Sequence, residues 1–214
     1  MIIKRYLLRF FALATMLEIL VALNGCQKYK DVNSSSSKNT EEITAVELMK
    51  NGCGVAVTQL DSLSEKSLKL LKESGITFIK VHIPYPFSND GTLTTNYMTA
   101  KRAVKMIYNM GLEPVCQSFT PGGNAYNSST GKVEWMSYLP NVFEDYDDAY
   151  FYKVLRNGTE YIAKDLKEYT NCWIVSNEPN LTVFTGPMTF EQIQKYITTC
   201  AEGLKSGNPS AYCG

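Results

Sequence analysis

The chain has a single histidine, His82, in 214 residues, and none of its six cysteines belongs to a CxxC pair. Zinc sites are built mostly from closely spaced cysteine and histidine ligands, so a zinc centre is not expected. No GxGxxG or GxxxxGK turn follows an apolar run, which removes the usual signatures of nucleotide binding. The sequence therefore predicts neither a metal ion nor a cofactor.

The chain also lacks an excess of either charge, because 21 basic residues are balanced by 21 acidic ones. No segment concentrates lysine and arginine into a basic patch, so nucleic acid is not an expected partner. Hydrophobic residues make up 44% of the chain, which is enough for one packed domain. Five cysteines follow residue 50, an odd number, and they are expected mostly as small buried residues.

The N-terminus has the pattern of an export signal: basic residues, an apolar stretch, then small residues before Cys26. The segment "LNGC" resembles the lipobox of bacterial lipoproteins, which implies lipid attachment at Cys26 and a position in the cell envelope. The expected organisation is a signal peptide over 1–25, a flexible serine-rich tether over 26–44 and a domain over 45–214. An uncleaved membrane anchor over 6–25 is the alternative, although its charged residues would be costly in a bilayer.

Short apolar runs alternate with amphipathic stretches from residue 50 onward. Strands are predicted at 54–60, 76–85, 112–119 and 172–177, with the start of a fifth strand in "NPSAYCG". Each full strand is followed by a helical pattern, and strand–helix alternation predicts an α/β fold with a parallel sheet. The sheet is either open or part of a (β/α)8 TIM barrel.

Capping residues mark the predicted helix ends. Capping boxes are predicted at Ser62 with Glu65 and at Thr189 with Gln192, and Gly75 ends the first helix. Residues 120–148 form a long loop with no predicted structure, and such loops are usually functional or disordered.

Polar side chains follow the predicted strands where each one ends. Lys80 and His82 share one face of the second strand, and Asn177 and Glu178 close the fourth. Barrel enzymes have their active sites at this edge, so the pattern favours a barrel. Pro179 predicts an extended backbone at Glu178, which would present the carboxylate at the rim.

The motif Asn-Glu-Pro at the end of a fourth strand resembles the clan A glycoside hydrolases, and "WIVSNEPNL" is similar to their "WNEPN" region. The resemblance implies a retaining mechanism on a carbohydrate substrate, with Glu178 as general acid/base and Asn177 binding the sugar 2-hydroxyl. Lys80 and His82 occupy the region where the clan usually has an arginine that contacts the nucleophile. Loop aromatics at the rim are candidate platforms for sugar rings: Tyr85, Phe87, Tyr126 and Trp135.

Retaining glycosidases need a second carboxylate about 5 Å from the first. In the clan this nucleophile follows strand seven, whereas this chain reaches only a fifth strand, so we expect the N-terminal portion of a barrel without catalysis of its own. The acids of the long loop, Glu134, Asp145 and Asp147, are expected to be solvated.

Two other readings stay open. The chain could be a non-catalytic surface lipoprotein that binds a glycan or a partner, its partial barrel completed by a second copy. It could also be an open α/β domain in which Glu178 has no role.

Overall fold

The computed structural model describes residues 52–137, 139, 146–186 and 188–214. The predicted signal peptide, the lipid attachment at Cys26 and the tether lie outside these ranges and stay predictions. None of the helices within the described ranges combines the length and the apolar character needed to cross a bilayer.

Strands and helices alternate along the described chain as the sequence predicts. The strands are β1 Cys53–Val57, β2 Ile76–His82, β3 Glu113–Gln117, β4 Gly122–Asn127, β5 Lys132–Ser137, β6 Cys172–Ile174 and β7 Tyr212–Cys213. The helices are α1 Glu65–Glu73, α2 Thr95–Asn109, α3 Ala149–Leu166, α4 Thr182–Thr185 and α5 Phe190–Gly207.

The main sheet has the order β1-β2-β3-β6-β7, and every neighbouring pair in it is parallel. Its strands follow one another in chain order, as in a singly wound barrel wall. The predicted fifth strand is present as β7, which pairs with β6. The α/β class and the partial barrel architecture are thus confirmed.

The two faces of the sheet differ in what covers them. Ile79 and Val81 of β2 are fully buried in the hydrophobic core, whereas Phe78, Lys80 and His82 alternate with them on the other face and keep contact with solvent. Side chains of a strand alternate between faces, so the second face is the one that lines a barrel interior. We call it the inner face.

The helices cover the opposite face through apolar stripes at helical spacing. Eight stripe residues of α2 and α3 are fully buried: Tyr97, Ala100, Val104, Ile107, Phe151, Leu155, Ile162 and Leu166. Helices α3 and α5 can approach closely because Gly203 has no side chain; a Cβ there would lie 2.0 Å from the Thr159 hydroxyl. Trp173 is buried in this core. Cys116, Cys172 and Cys200 are buried free thiols.

The predictions of the first capping box and of an unstructured long loop are wrong. The first capping box is formed by Ser64 and Ser67 rather than Ser62 and Glu65, because a 3-10 turn over Leu60–Ser62 delays the helix start. The predicted loop over 120–148 contains the antiparallel hairpin of β4 and β5, closed by a turn that includes Gly131 with φ of 68°. The capping box of Thr189 and Gln192 is confirmed.

Candidate active-site rim

The carboxyl ends of the parallel strands form one rim. His82 pairs in register with Gln117, and Gln117 pairs with Ile174, so β2, β3 and β6 end side by side. Backbone hydrogen bonds extend this order past the strand ends, with Ser118 N donating to Ile174 O at 2.9 Å. Residues that follow these strands are therefore held at one edge of the sheet.

Glu178 lies at this rim in an unusual backbone conformation. It is the only non-glycine residue in the described ranges with a positive φ, at 40°, and its side chain is exposed. Its carbonyl accepts a hydrogen bond from Leu181 N at 2.9 Å, closing a turn with Pro179 at the second position. The extended conformation expected before a proline is wrong, because the chain reverses here. Asn177 is partly exposed beside it.

Buried hydrogen bonds fix the chain that leads to Asn177. The Ser118 hydroxyl donates to the Val175 carbonyl, which joins the ends of β3 and β6. The Tyr196 hydroxyl of α5 lies 3.1 Å from Phe119 O and 3.3 Å from the Ser176 hydroxyl. Tyr196 is fully buried, so these bonds are shielded from water.

Lys80 and His82 lie on the inner face, as their shared parity predicts. Surrounding protein lowers the pKa of His82 below its ordinary value of 6.5, although the side chain keeps solvent contact, and the charge of Lys80 lowers that pKa further. His82 is therefore neutral at pH 7 and offers one donor and one acceptor. Lys80 provides a cation without the planar fork of an arginine.

Tyr85 and His82 line one cavity of about 420 Å³ at the rim. Tyr85 is buried, and burial raises its pKa to about 12, so its hydroxyl stays protonated. Phe87 lines the same cavity. Trp135 lies in β5 opposite Asn124, and its side chain falls outside the described part of the structure, as does that of Tyr126.

The acids of the third loop have structural partners where they are described. Glu134 accepts hydrogen bonds from Asn127 and Thr130 across the hairpin. Asp147 accepts one from Gln192 of α5 at 3.0 Å. Asp145 lies outside the described residues. By contrast, the Glu178 carboxylate forms no hydrogen bond or ion pair within the described part of the chain.

Glu113 is a carboxylate that the sequence analysis missed. It pairs in register with Phe78 at the opposite end of the inner face, and burial raises its pKa to about 7. Its place beside Pro114 in an apolar run gave no functional signal. Within the described ranges, no group of three or more histidine, cysteine, aspartate or glutamate side chains could hold a metal ion.

Asn96 and Phe119 are also missed residues, and both line the rim cavity. Asn96 lies in the first turn of α2, and helices that follow barrel strands begin at the same rim where the strands end. Counting residues at helix starts as well as at strand ends would have found Asn96.

No protein-family model matches the sequence, and no curated protein is similar to it by sequence. Several solved structures of similar fold are glycoside hydrolases. One is the exo-β-1,4-mannosidase Op5Man5 from Opitutaceae bacterium strain TAV5, with a TM-score of 0.57 and 14% identity over 75% of this chain and 30% of that one. The chain has the fold of a partial (β/α)8 barrel.

Two further structures give the same picture. The family 1 β-glucosidase from Thermotoga maritima has a TM-score of 0.51 and 9% identity, over 70% of this chain and 36% of that one. The GH5_18 protein from Streptomyces cattleya, solved in complex with GlcNAc, has a TM-score of 0.51 and 15% identity, over 72% and 38%. The partial barrel thus spans about a third of the length of these structures.

Proposed function

We propose that the chain is the N-terminal portion of a retaining glycoside hydrolase in which Glu178 is the general acid/base. The observation that carries the proposal is the backbone of Glu178: a strained, positive-φ glutamate, exposed at the carboxyl end of the fourth parallel strand of a partial barrel. Such strain costs about 1–3 kcal/mol and persists mainly where function requires it.

The chemistry assigns a role to each neighbouring group. Glu178 protonates the leaving glycosidic oxygen and later removes a proton from the attacking water, while Asn177 binds the sugar 2-hydroxyl. Lys80 supplies positive charge on the inner face, where a nucleophilic carboxylate from the remaining strands would lie. The substrate is a carbohydrate, with the linkage set by loops after the later strands.

The nucleophilic carboxylate would come from the part of the barrel that follows the fifth strand. The described acids of the third loop already hold hairpin and helix contacts, which argues against a substitute from that loop. We therefore expect the 214-residue chain alone to have no turnover. A native product about a hundred residues longer by intact mass would agree with a full barrel of about 250 residues.

Hydrolysis of aryl β-glycosides by the native product tests the role of Glu178. Glu178→Ala should abolish hydrolysis of substrates with poor leaving groups, which need protonation, but spare the first step for 2,4-dinitrophenyl glycosides. Azide, a nucleophile that needs no general base, should restore turnover of the latter. Glu134→Gln is the matched control and should retain activity. Full activity of Glu178→Ala on poor leaving groups would refute the role.

We also propose lipid anchoring at Cys26 and a position in the bacterial cell envelope, on the strength of the "LNGC" segment. Labelling with an alkyne fatty acid should mark the wild-type chain and not Cys26→Ala. Labelling that survives this substitution would contradict the anchor.

The second candidate function is glycan binding without catalysis on the same surface. The aromatic cavity beside His82 favours it, because binding there needs no nucleophile. A second copy that closes the barrel would have to pair beyond β7, since Tyr212 N already donates to Asn171 O at 2.7 Å along the edge of β6. Sedimentation distinguishes the readings, because only closure by a second copy requires a dimer.

A further inference from the structure

The rim cavity of about 420 Å³ lies above β2 and β3, away from the strand that carries Glu178. Seven residues line it: His82, Pro84, Tyr85, Phe87, Thr94, Asn96 and Phe119. An adjoining cavity of about 240 Å³ shares His82, Pro84 and Asn96 with it and reaches the end of β1 at Val57. The larger cavity falls within the range of about 300–1,000 Å³ typical of small-molecule sites.

The aromatic wall of the cavity is held rigidly. Tyr85 stands edge-on to Phe119, with ring centroids 5.0 Å apart and planes at 83°, and edge-on to Phe87 at 6.1 Å and 74°. Phe87 packs in turn on Tyr161 of α3, with centroids 4.8 Å apart. Tyr85 and Phe119 are buried behind this wall, whereas Phe87 is partly exposed and, held by its neighbours, offers apolar ring surface at little entropic cost.

Two polar side chains of the cavity are available to a ligand. His82 and Asn96 form no side-chain hydrogen bond within the described part of the structure. Thr94, by contrast, is engaged, because its hydroxyl accepts from Tyr97 N at 3.2 Å and donates to Tyr85 O at 3.3 Å. His82 and Asn96 both lie where the two cavities meet.

The lack of charged side chains around the larger cavity favours a neutral ligand. No lysine, arginine, aspartate or glutamate lines the larger cavity, and Asp61 lines only the smaller one. His82 is neutral at pH 7 because desolvation by the surrounding protein and the charge of Lys80 lower its pKa. An anion would find no cation among these lining residues, whereas hydroxyl groups would find donors and acceptors from His82 and Asn96.

We infer that this cavity binds one neutral sugar ring, with its C–H face on Phe87 and its hydroxyls on His82 and Asn96. The class of ligand rests on the proposed carbohydrate function, but the site does not require Glu178. Strand β3 lies between β2, which carries His82, and β6, which leads to Glu178, so the ends of these two strands are about 10 Å apart across the sheet. A longer glycan would reach both positions.

The single histidine makes the test direct, because the His82 ring C–H signal in proton NMR has no overlap from other histidines. The full chain, purified in mild detergent, is titrated at pH 7 with methyl β-D-glucopyranoside and methyl β-D-mannopyranoside. Sorbitol, which has hydroxyls but no ring face, is the ligand control. We expect a saturable shift of the His82 signal with at least one pyranoside and none with sorbitol.

Variants locate the bound ring. Asn96→Ala removes an exposed side chain and should weaken binding roughly fivefold, the effect of one neutral hydrogen bond. Asn89 is an exposed asparagine in the loop before α2 that lines neither cavity, so Asn89→Ala is the matched control and should not change binding. Glu178→Gln should also leave binding unchanged.

Three outcomes would overturn the cavity site. The first is no saturable shift with either pyranoside, and the second is an equal response to sorbitol. The third is binding that is lost in Glu178→Gln and kept in Asn96→Ala, which would place the bound ring beside Glu178 instead of in the cavity. None of these outcomes decides the catalytic role of Glu178, which depends on the aryl-glycoside assay of the native product.

Discussion

The hydroxyl of Tyr196 lies 3.1 Å from the carbonyl oxygen of Phe119, so helix α5 is tied to the loop that follows β3. The same hydroxyl lies 3.3 Å from that of Ser176, one residue before Asn177. One buried phenol therefore joins the ends of two neighbouring strands. This makes Tyr196 a positioning residue for the rim.

Tyr196→Phe should lower the free energy of unfolding by about 1–2 kcal/mol, because it leaves the buried Phe119 carbonyl without this donor. Urea denaturation measures the change. Tyr212→Phe is the matched control, since Tyr212 is 52% exposed on β7. Equal stability of the two variants would show that the Tyr196 hydroxyl contributes nothing net.

The pKa of His82 should lie below 6.5, because partial desolvation by the surrounding protein and then the charge of Lys80 disfavour the imidazolium form. Following the single histidine signal by NMR between pH 4 and 9 measures it. Lys80→Met should raise the pKa part of the way back, since desolvation, the larger cause, remains. Lys101→Met is the control, because Lys101 is paired with Asp165 at 2.8 Å. A His82 pKa above 6.5 in the wild type would contradict the described surroundings.

Hydrophobic periodicity predicts the strand–helix order and the buried helix faces, because residues that pack on one face, such as Tyr97 and Ile107, recur at helical spacing. Strand ends were less predictable. The run at 54–60 is predicted as one strand, yet β1 ends at Val57 and a 3-10 turn begins at Leu60. Turn formation of this kind depends on competing local hydrogen bonds, which periodicity does not report.

The candidate site was predictable where one motif carries it and unpredictable where three-dimensional packing does. Asn177 and Glu178 could be named from a strand end, but the turn at Pro179 could not be told from an extended segment. Asn96, Phe119 and His82 line one cavity because the start of α2 and the ends of β2 and β3 converge at one rim. Which of the rim residues share a cavity has no signature in a single sequence.

Glu113 should make stability depend on pH. Its pKa is raised from 4.5 to about 7 by burial, so the folded state binds a proton more tightly than the unfolded chain. The contribution of Glu113 to the free energy of unfolding is fully present below pH 4.5 and is lost as pH rises through 7. Each pKa unit corresponds to about 1.4 kcal/mol, but Glu113 is only partly buried and solvent screens its charge, so the contribution should be well below about 3 kcal/mol.

The measurement is the melting temperature of the wild type minus that of Glu113→Gln at each pH. This difference isolates Glu113 from His82, whose lowered pKa changes stability with pH in the opposite direction. The difference should fall steadily between pH 4.5 and 8. Glu134→Gln, in the hairpin, provides the control. A difference that stays flat over this range would mean that Glu113 is not desolvated.

Glu178→Gly should stabilise the protein by about 1 kcal/mol, because glycine adopts a φ of 40° without the steric cost that a Cβ incurs. Glu178→Ala keeps the Cβ and should give no gain, and it is therefore the matched control in urea denaturation. The comparison separates backbone strain from loss of the carboxylate, which both variants share. If glycine proves no more stable than alanine, the turn at Pro179 is unstrained and the main support for a catalytic role falls. A gain for glycine alone would mean that a glutamate is retained at this rim at the expense of stability, as a functional carboxylate would be.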